Sequence, residues 1–190
     1  MPHASAFKVE NCYPYIVTKE YIEGRAGEAN VLPRPIGHGL FVVLVQEYRG
    51  VVKSVSQSDL TAANLTADSA YDRAVHNLDE LLASGAIEIR AYESGPNNLP
   101  FILVSEHWAS AACILLPAIL GIARENLGSN DIIASIPHRD VMLLFPRAGK
   151  SGLLEIQKFV VENENEGRNP LTFEPFELTE NGPVPVVKTP

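Results

Sequence analysis

Three places in this 190-residue chain gather side chains able to move protons, attack a carbonyl or hold an anion. His138-Arg139-Asp140 spells the catalytic tripeptide of protein kinases, but neither a glycine-rich loop nor an Asp-Phe-Gly triplet accompanies it. It reads better as a β-turn in which Asp140 accepts backbone N–H bonds and Arg139 pairs with a neighbouring acid. A ligand-facing Arg–Asp pair is the functional alternative. Pro146-Arg147-Ala148-Gly149-Lys150-Ser151-Gly152 lies between an expected strand and an expected helix. A phosphate loop needs a glycine five positions before Gly149, where Leu144 stands. Arg147, Lys150 and Ser151 at a helix N-terminus remain a candidate anion loop, against a solvated turn. His107 and Ser110, around the single Trp108, imitate a base and a nucleophile. No nucleophile elbow supports them, and a first-turn or capping role fits better.

The other reactive side chains are sparser. Asn77 sits at the edge of an apolar helical stripe, where its amide can tie the helix to the loop around Arg34, a structural role. His3, His38, His76, His107 and His138 include no pair four residues apart, so no metal site and no cofactor is read from the sequence. Cys12 and Cys113 stand 101 positions apart and read as two reduced thiols, the pattern of a cytoplasmic protein.

These groups must be positioned by elements that alternate along the chain. Residues 40–45 form a continuous β-favouring run, and 51–55 a second, with a turn near Tyr48-Arg49-Gly50. A helix follows over 67–83, with Thr66 as N-cap and Ala70, Tyr71, Ala74, Val75, Leu78, Leu81 and Leu82 on one stripe. Strands at 87–92 and 101–104 flank the turn Ser94–Asn98. A nearly all-apolar helix then begins near Ala109, which Pro117 should kink or split. Strands at 132–136 and 141–145 surround Pro137–Asp140, and a helix runs from 151 to 161. Strands paired through short turns are antiparallel. The expected fold is α+β: a mainly antiparallel sheet from three successive hairpin–helix units, with helices on one face. Residues 1–39 read as a loop-rich opening segment, 40–162 as the core, and 163–190 as an acidic, proline-rich arm. That arm orders only if Phe173, Phe176 and Leu178 dock.

Composition bounds the partners. The net charge of −8 argues against nucleic acid, whose phosphates call for surplus Lys and Arg. Met1–Lys8 lacks a secretory pattern, and the apolar stretch Trp108–Ala123 is too short to span a membrane.

Arg34-Pro35-Ile36-Gly37-His38-Gly39-Leu40, leading into Phe41-Val42-Val43-Leu44-Val45, is similar to the opening motif of the YtpQ-like bacterial family, a domain of unknown function. The similarity continues through Ala74-Val75-His76-Asn77-Leu78, where the family has Ala, two variable residues, then Asn-Leu on a helix. Further matches are Ala109-Ser110 before an apolar helix and Ile136-Pro137-His138-Arg139-Asp140-Val141 between two strands. They span residues 34 to about 146, roughly 60% of the chain. Departures fall at Glu106-His107-Trp108, where the family has an acidic residue just before Ala-Ser, and at His138, where it has a small one. The resemblance implies the fold and an intracellular bacterial setting, and carries no activity.

Two functions are expected to compete. One is a non-catalytic protein-interaction domain, its partner a second copy or another protein. Its motive is the apolar surplus of Trp108–Ala123 and the aromatic-bearing arm. The other is a small-molecule binder or hydrolase with a pocket near Arg34, His107, Arg139 and Asp140, and with His38, Asn77, Ser110 and His138 as further candidate ligand-facing residues. It requires Arg34, His107, Arg139 and Asp140 to line one cavity.

Overall fold

A computed structural model describes residues 7–24 and 33–187. The leader reading of Met1–Lys8 falls mostly outside these residues, as does His3. The protein is an α+β structure whose strand pairs are antiparallel, in two sheets rather than the expected one.

The first sheet is built on β3 (Leu40–Tyr48). β1 (Cys12–Thr18) pairs along one side of it from Leu40 to Gln46. β2 (Arg34–Gly37) and β4 (Val51–Ser54) share the other side, β2 at Leu40–Val42 and β4 at Val45–Tyr48. The unbroken apolar run of β3 follows from burial on both faces. Val42 and Leu44 pack with Leu60, Ala70, Tyr71 and Ala74, whereas Val43 and Val45 face Tyr15, Val17, Tyr21 and Trp108. Arg49 and Gly50, at φ 51° and 79°, close the β3–β4 turn with left-handed backbone that matches the strand twist.

The helices on this sheet start at reciprocal side-chain caps. Ser56 and Asp59 cap α2 (Gln57–Ala62), and Thr66 and Ser69 cap α3 (Ala67–Ala83). The predicted stripe of α3 is the buried one, with Val75 and Leu81 at its half-buried margin.

The second sheet runs β10-β9-β7-β8-β6-β5, with β5 (Glu88–Tyr92), β6 (Phe101–Ser105), β7 (Ile132–His138), β8 (Val141–Pro146), β9 (Phe176–Thr179) and β10 (Gly182–Pro185). Pro117 splits the predicted apolar helix into a 3-10 segment, Ser110–Leu115, and α4 (Pro117–Leu127). Lacking an N–H, proline fits the first helical position, where no intrahelical bond is asked of it. The 3-10 segment and α4 cover one face, where Ile119, Leu120 and Ala123 meet Ile102, Ala134 and Leu144. Against expectation, α5 (Lys150–Glu164) lies on the opposite face, where Ile156 and Val160 meet Leu143 and Phe145. The apolar runs of β7 and β8 already carried that signal. A strand with one wet face alternates, and these do not.

The expected C-terminal arm is part of this sheet. β9 pairs with β7, and Phe176 and Leu178 are buried beneath it. Trp108–Ala123 is covered within the single chain: Ala109, Ala112, Cys113, Ile114, Ile119 and Ala123 are all buried. The motive for association expected from that stretch is therefore gone.

The two sheets meet edge to edge at β2 and β10. Pro35, Pro183 and Pro185 on these edges cannot donate, which keeps them from fusing into one ladder. Instead the Pro185 ring packs on Gly37. A Cβ there would lie 2.1 Å from a ring carbon, and its φ of +104° also demands glycine.

Candidate functional site

The β7–β8 connection is a two-residue turn, Arg139-Asp140, with His138 opposite Val141. Arg139 does not pair with an acid as expected. It leaves its own sheet and crosses to β1, where Nη1 donates to Tyr15 Oη at 2.9 Å and Nε to the Ile16 carbonyl at 3.3 Å. Asn169 Oδ1 accepts a further bond at 3.2 Å. Its guanidinium lies over the rings of Tyr15 and Tyr21, the latter on α1 (Lys19–Gly24), at 4.7 and 5.2 Å. The backbone carbonyl of Arg139 meanwhile accepts from Ala111 N, fixing the start of the 3-10 segment.

Asp140 does not cap the turn through backbone N–H groups. Its Oδ1 lies 2.7 Å from His138 Nδ1, and Glu164 Oε2, from the end of α5, lies 2.8 Å from His138 Nε2. Each ring nitrogen thus meets a carboxylate oxygen from a different element. Gly167 closes over the ring: a Cβ there would stand 2.0 Å from a ring carbon. His138 is thus a buried joint between the turn and α5, in contact with internal groups on each edge.

His107 and Ser110 are spent locally. Ser110 Oγ is fully buried and donates to the His107 carbonyl at 2.7 Å, and His107 Nδ1 accepts from Ala109 N at 3.1 Å. These are the bonds of a first turn and do not pair a nucleophile with its base. The His107 ring leans on Trp108, and Trp108 on Tyr13 and Tyr15, so this segment and Arg139 share one aromatic cluster. Burial holds the His107 imidazole below its usual 6.5, opposed in part by the Glu47 carboxylate. The unfolded chain therefore takes up the proton first as pH falls. The stability present above 6.5 is lost through the window down to the folded value. His107→Asn, which keeps an acceptor for Ala109 N, should show a smaller drop in melting temperature than the parent chain between about pH 7.5 and about pH 5. Equal drops would show that His107 is not the group titrating.

Arg34, His38 and Asn77 lie elsewhere. Arg34 bonds Asp68 at 2.5 Å and stacks on Tyr71 at 3.7 Å. It lines an open groove of about 570 Å³ with Asp72, Val75, Leu115, Pro183 and Pro185. Burial raises the Tyr71 phenol, partly offset by Arg34, and its hydroxyl donates to the Val42 carbonyl at 2.7 Å. His38, at φ 50° in the β2–β3 turn, places Nε2 2.9 Å from the Pro175 carbonyl and packs its ring on Phe176. It is a latch on the C-terminal strands. Asn77 does not reach Arg34. Its amide donates to the carbonyls of Val9 and Cys12, both at 2.8 Å, tying α3 to the start of β1.

The anion loop is divided. Arg147 pairs with Glu177 on β9, Ser151 is exposed, and Lys150 lines a separate groove of about 190 Å³ with Leu153, Leu154, Pro175 and Val187. Cys12 and Cys113 are free and buried, and burial pushes both thiols up to about 12, far from nucleophilic use. Among the described residues no cluster of His, Cys, Asp and Glu is able to hold a metal ion. No helix among them is long and apolar enough to cross a membrane.

The structure thus joins His107, Trp108 and Arg139 in one cluster, His138 and Asp140 in a second, and leaves Arg34 at a third place. Reasoning from the sequence missed Tyr15, Tyr21 and Glu164 as partners. Tyr13-Pro14-Tyr15 held half the signal, since residues two apart on a strand share a face. Glu164 had none, because only the packing of α5 brings it to His138. Set against protein-family models, curated proteins and solved structures, the chain matches none.

Proposed function

We propose that this chain is a non-catalytic protein-interaction domain that forms a homo-oligomer. One observation carries the reading: Arg34, His38, Asn77, His107, Ser110, His138, Arg139 and Asp140 all hold internal partners. Most of them tie one element of the fold to another. A fold stiffened in this way presents its open strand edges and its exposed Tyr92, Leu154 and Val187 in fixed places. Kinship with the YtpQ-like family belongs to the same proposal. Its support is that the matching positions Arg34, Asn77, Arg139 and Asp140 coincide with these joints.

Sedimentation of the whole chain across the micromolar range tests the reading. The expected result is a mass rising with concentration towards at least twice 20.7 kDa. A constant monomer mass throughout would overturn it. The alternative, a small-molecule binder, is favoured by the Arg34 groove, whose volume suits a ligand. Against it, the guanidinium there is already held by Asp68 and Tyr71.

A further inference from the structure

The second sheet ends at β5, whose outer side pairs with no other described strand. Ile89 is half-buried, whereas Arg90, Ala91 and Tyr92 are exposed. An unpaired strand edge is a template for another strand. The edges of the molecule differ in how well they can serve. β1 carries Pro14, β2 Pro35, and β10 Pro183 and Pro185, each removing a donor. Among the described edge strands, only β4 and β5 keep every backbone N–H.

Charge separates these two. Two identical strands that pair antiparallel about a two-fold axis place residues of the same face opposite each other, so facing residues are both odd or both even in number. In β5, a register centred on Ile89 sets Glu88 of each copy against Arg90 of the other. Centring on Arg90 opposes two guanidinium groups, and centring on Ala91 sets Arg90 against Tyr92. One register alone is self-complementary. β4 has Lys53 as its single charge and offers no such match. Within one chain Arg90 already lies along Glu88, at 2.7 and 2.6 Å, on the face where Tyr92 stacks on Phe101. A second copy would extend this pair into alternating charges across the axis. A strand without the matching pattern would add no opposite charge to either member of the pair.

We propose that β5 is the self-association surface of this protein, two copies joining their second sheets antiparallel about Ile89. The inference rests on the homo-oligomer reading above and gives it an interface. The whole chain is tested as wild type, Arg90→Glu and Glu88→Arg, alone and mixed, by sedimentation, with circular dichroism recording the fold. Each variant alone opposes like charges, so its dimer should weaken by about tenfold or more. An equimolar mixture restores Glu against Arg at both positions and should dimerise as the wild type does. That recovery also shows that both variants are folded. A wild-type dimer that both variants preserve would overturn the β5 interface and leave the homo-oligomer reading standing. Variants that fall apart without recovering on mixing would overturn the Ile89 register. A wild type that stays monomeric would overturn both the interface and the reading beneath it.

Discussion

Replacing Arg139 by alanine is expected to cost about 3 kcal/mol of folding free energy, a fall in melting temperature of roughly 6–12 °C for a chain of this length. The side chain is the principal polar crossing from the β7–β8 turn to β1. Its removal deletes the bonds to Tyr15 Oη and the Ile16 carbonyl together with the contact over two tyrosine rings. A charged hydrogen bond contributes about 1.5–3 kcal/mol, and a stacked guanidinium about 0.5–2 kcal/mol. Partial exposure of the group keeps the total well below their sum. Arg139→Lys should recover little, because an ammonium is a point charge and cannot lie flat on rings while reaching two acceptors. Urea denaturation of both variants measures this. A loss below about 1 kcal/mol for alanine would mean that Arg139 does not hold the β7–β8 turn to β1.

Asn77→Asp should be nearly as damaging, at about 3 kcal/mol, and worse than Asn77→Ala. The shapes of Asn and Asp are almost the same, so packing is preserved and only the donors vanish. The amide donates to two carbonyls, Val9 and Cys12, from a residue that is 4% exposed. A carboxylate there points acceptors at acceptors in a buried place, and alanine merely leaves the carbonyls unpaired. Thermal melts of the two variants decide the matter. Aspartate at or above the stability of alanine would show that the bonds drawn by Asn77 do not anchor α3.

Neither consequence was visible from residue types. Asn77 stood out because an amide broke the edge of an apolar stripe, and that local anomaly correctly announced a structural tie. Its partners did not follow, since β1 lies 65 positions away from it. Arg139 and Asp140 looked like a turn and form one, because turn chemistry is a matter of adjacent residues. Where Arg139 reaches depends on how the two sheets face each other, which no local signal encodes. The same holds for Arg34, His107 and Asp140. They stand close in interest along the sequence, and the fold sends them to separate places.

What the chain determined by itself was the local order. The caps at Thr66, the break at Pro117, the turn at Arg49-Gly50 and the antiparallel hairpins all follow from backbone freedom and short-range periodicity. These forces act within a few residues, so they are written where they act. Only the tertiary structure decided that there are two sheets, that α5 crosses to the opposite face, and that the acidic tail becomes strands β9 and β10. Those outcomes turn on which buried faces find each other after loops have closed, and such matching belongs to the whole assembly of surfaces rather than to any one segment.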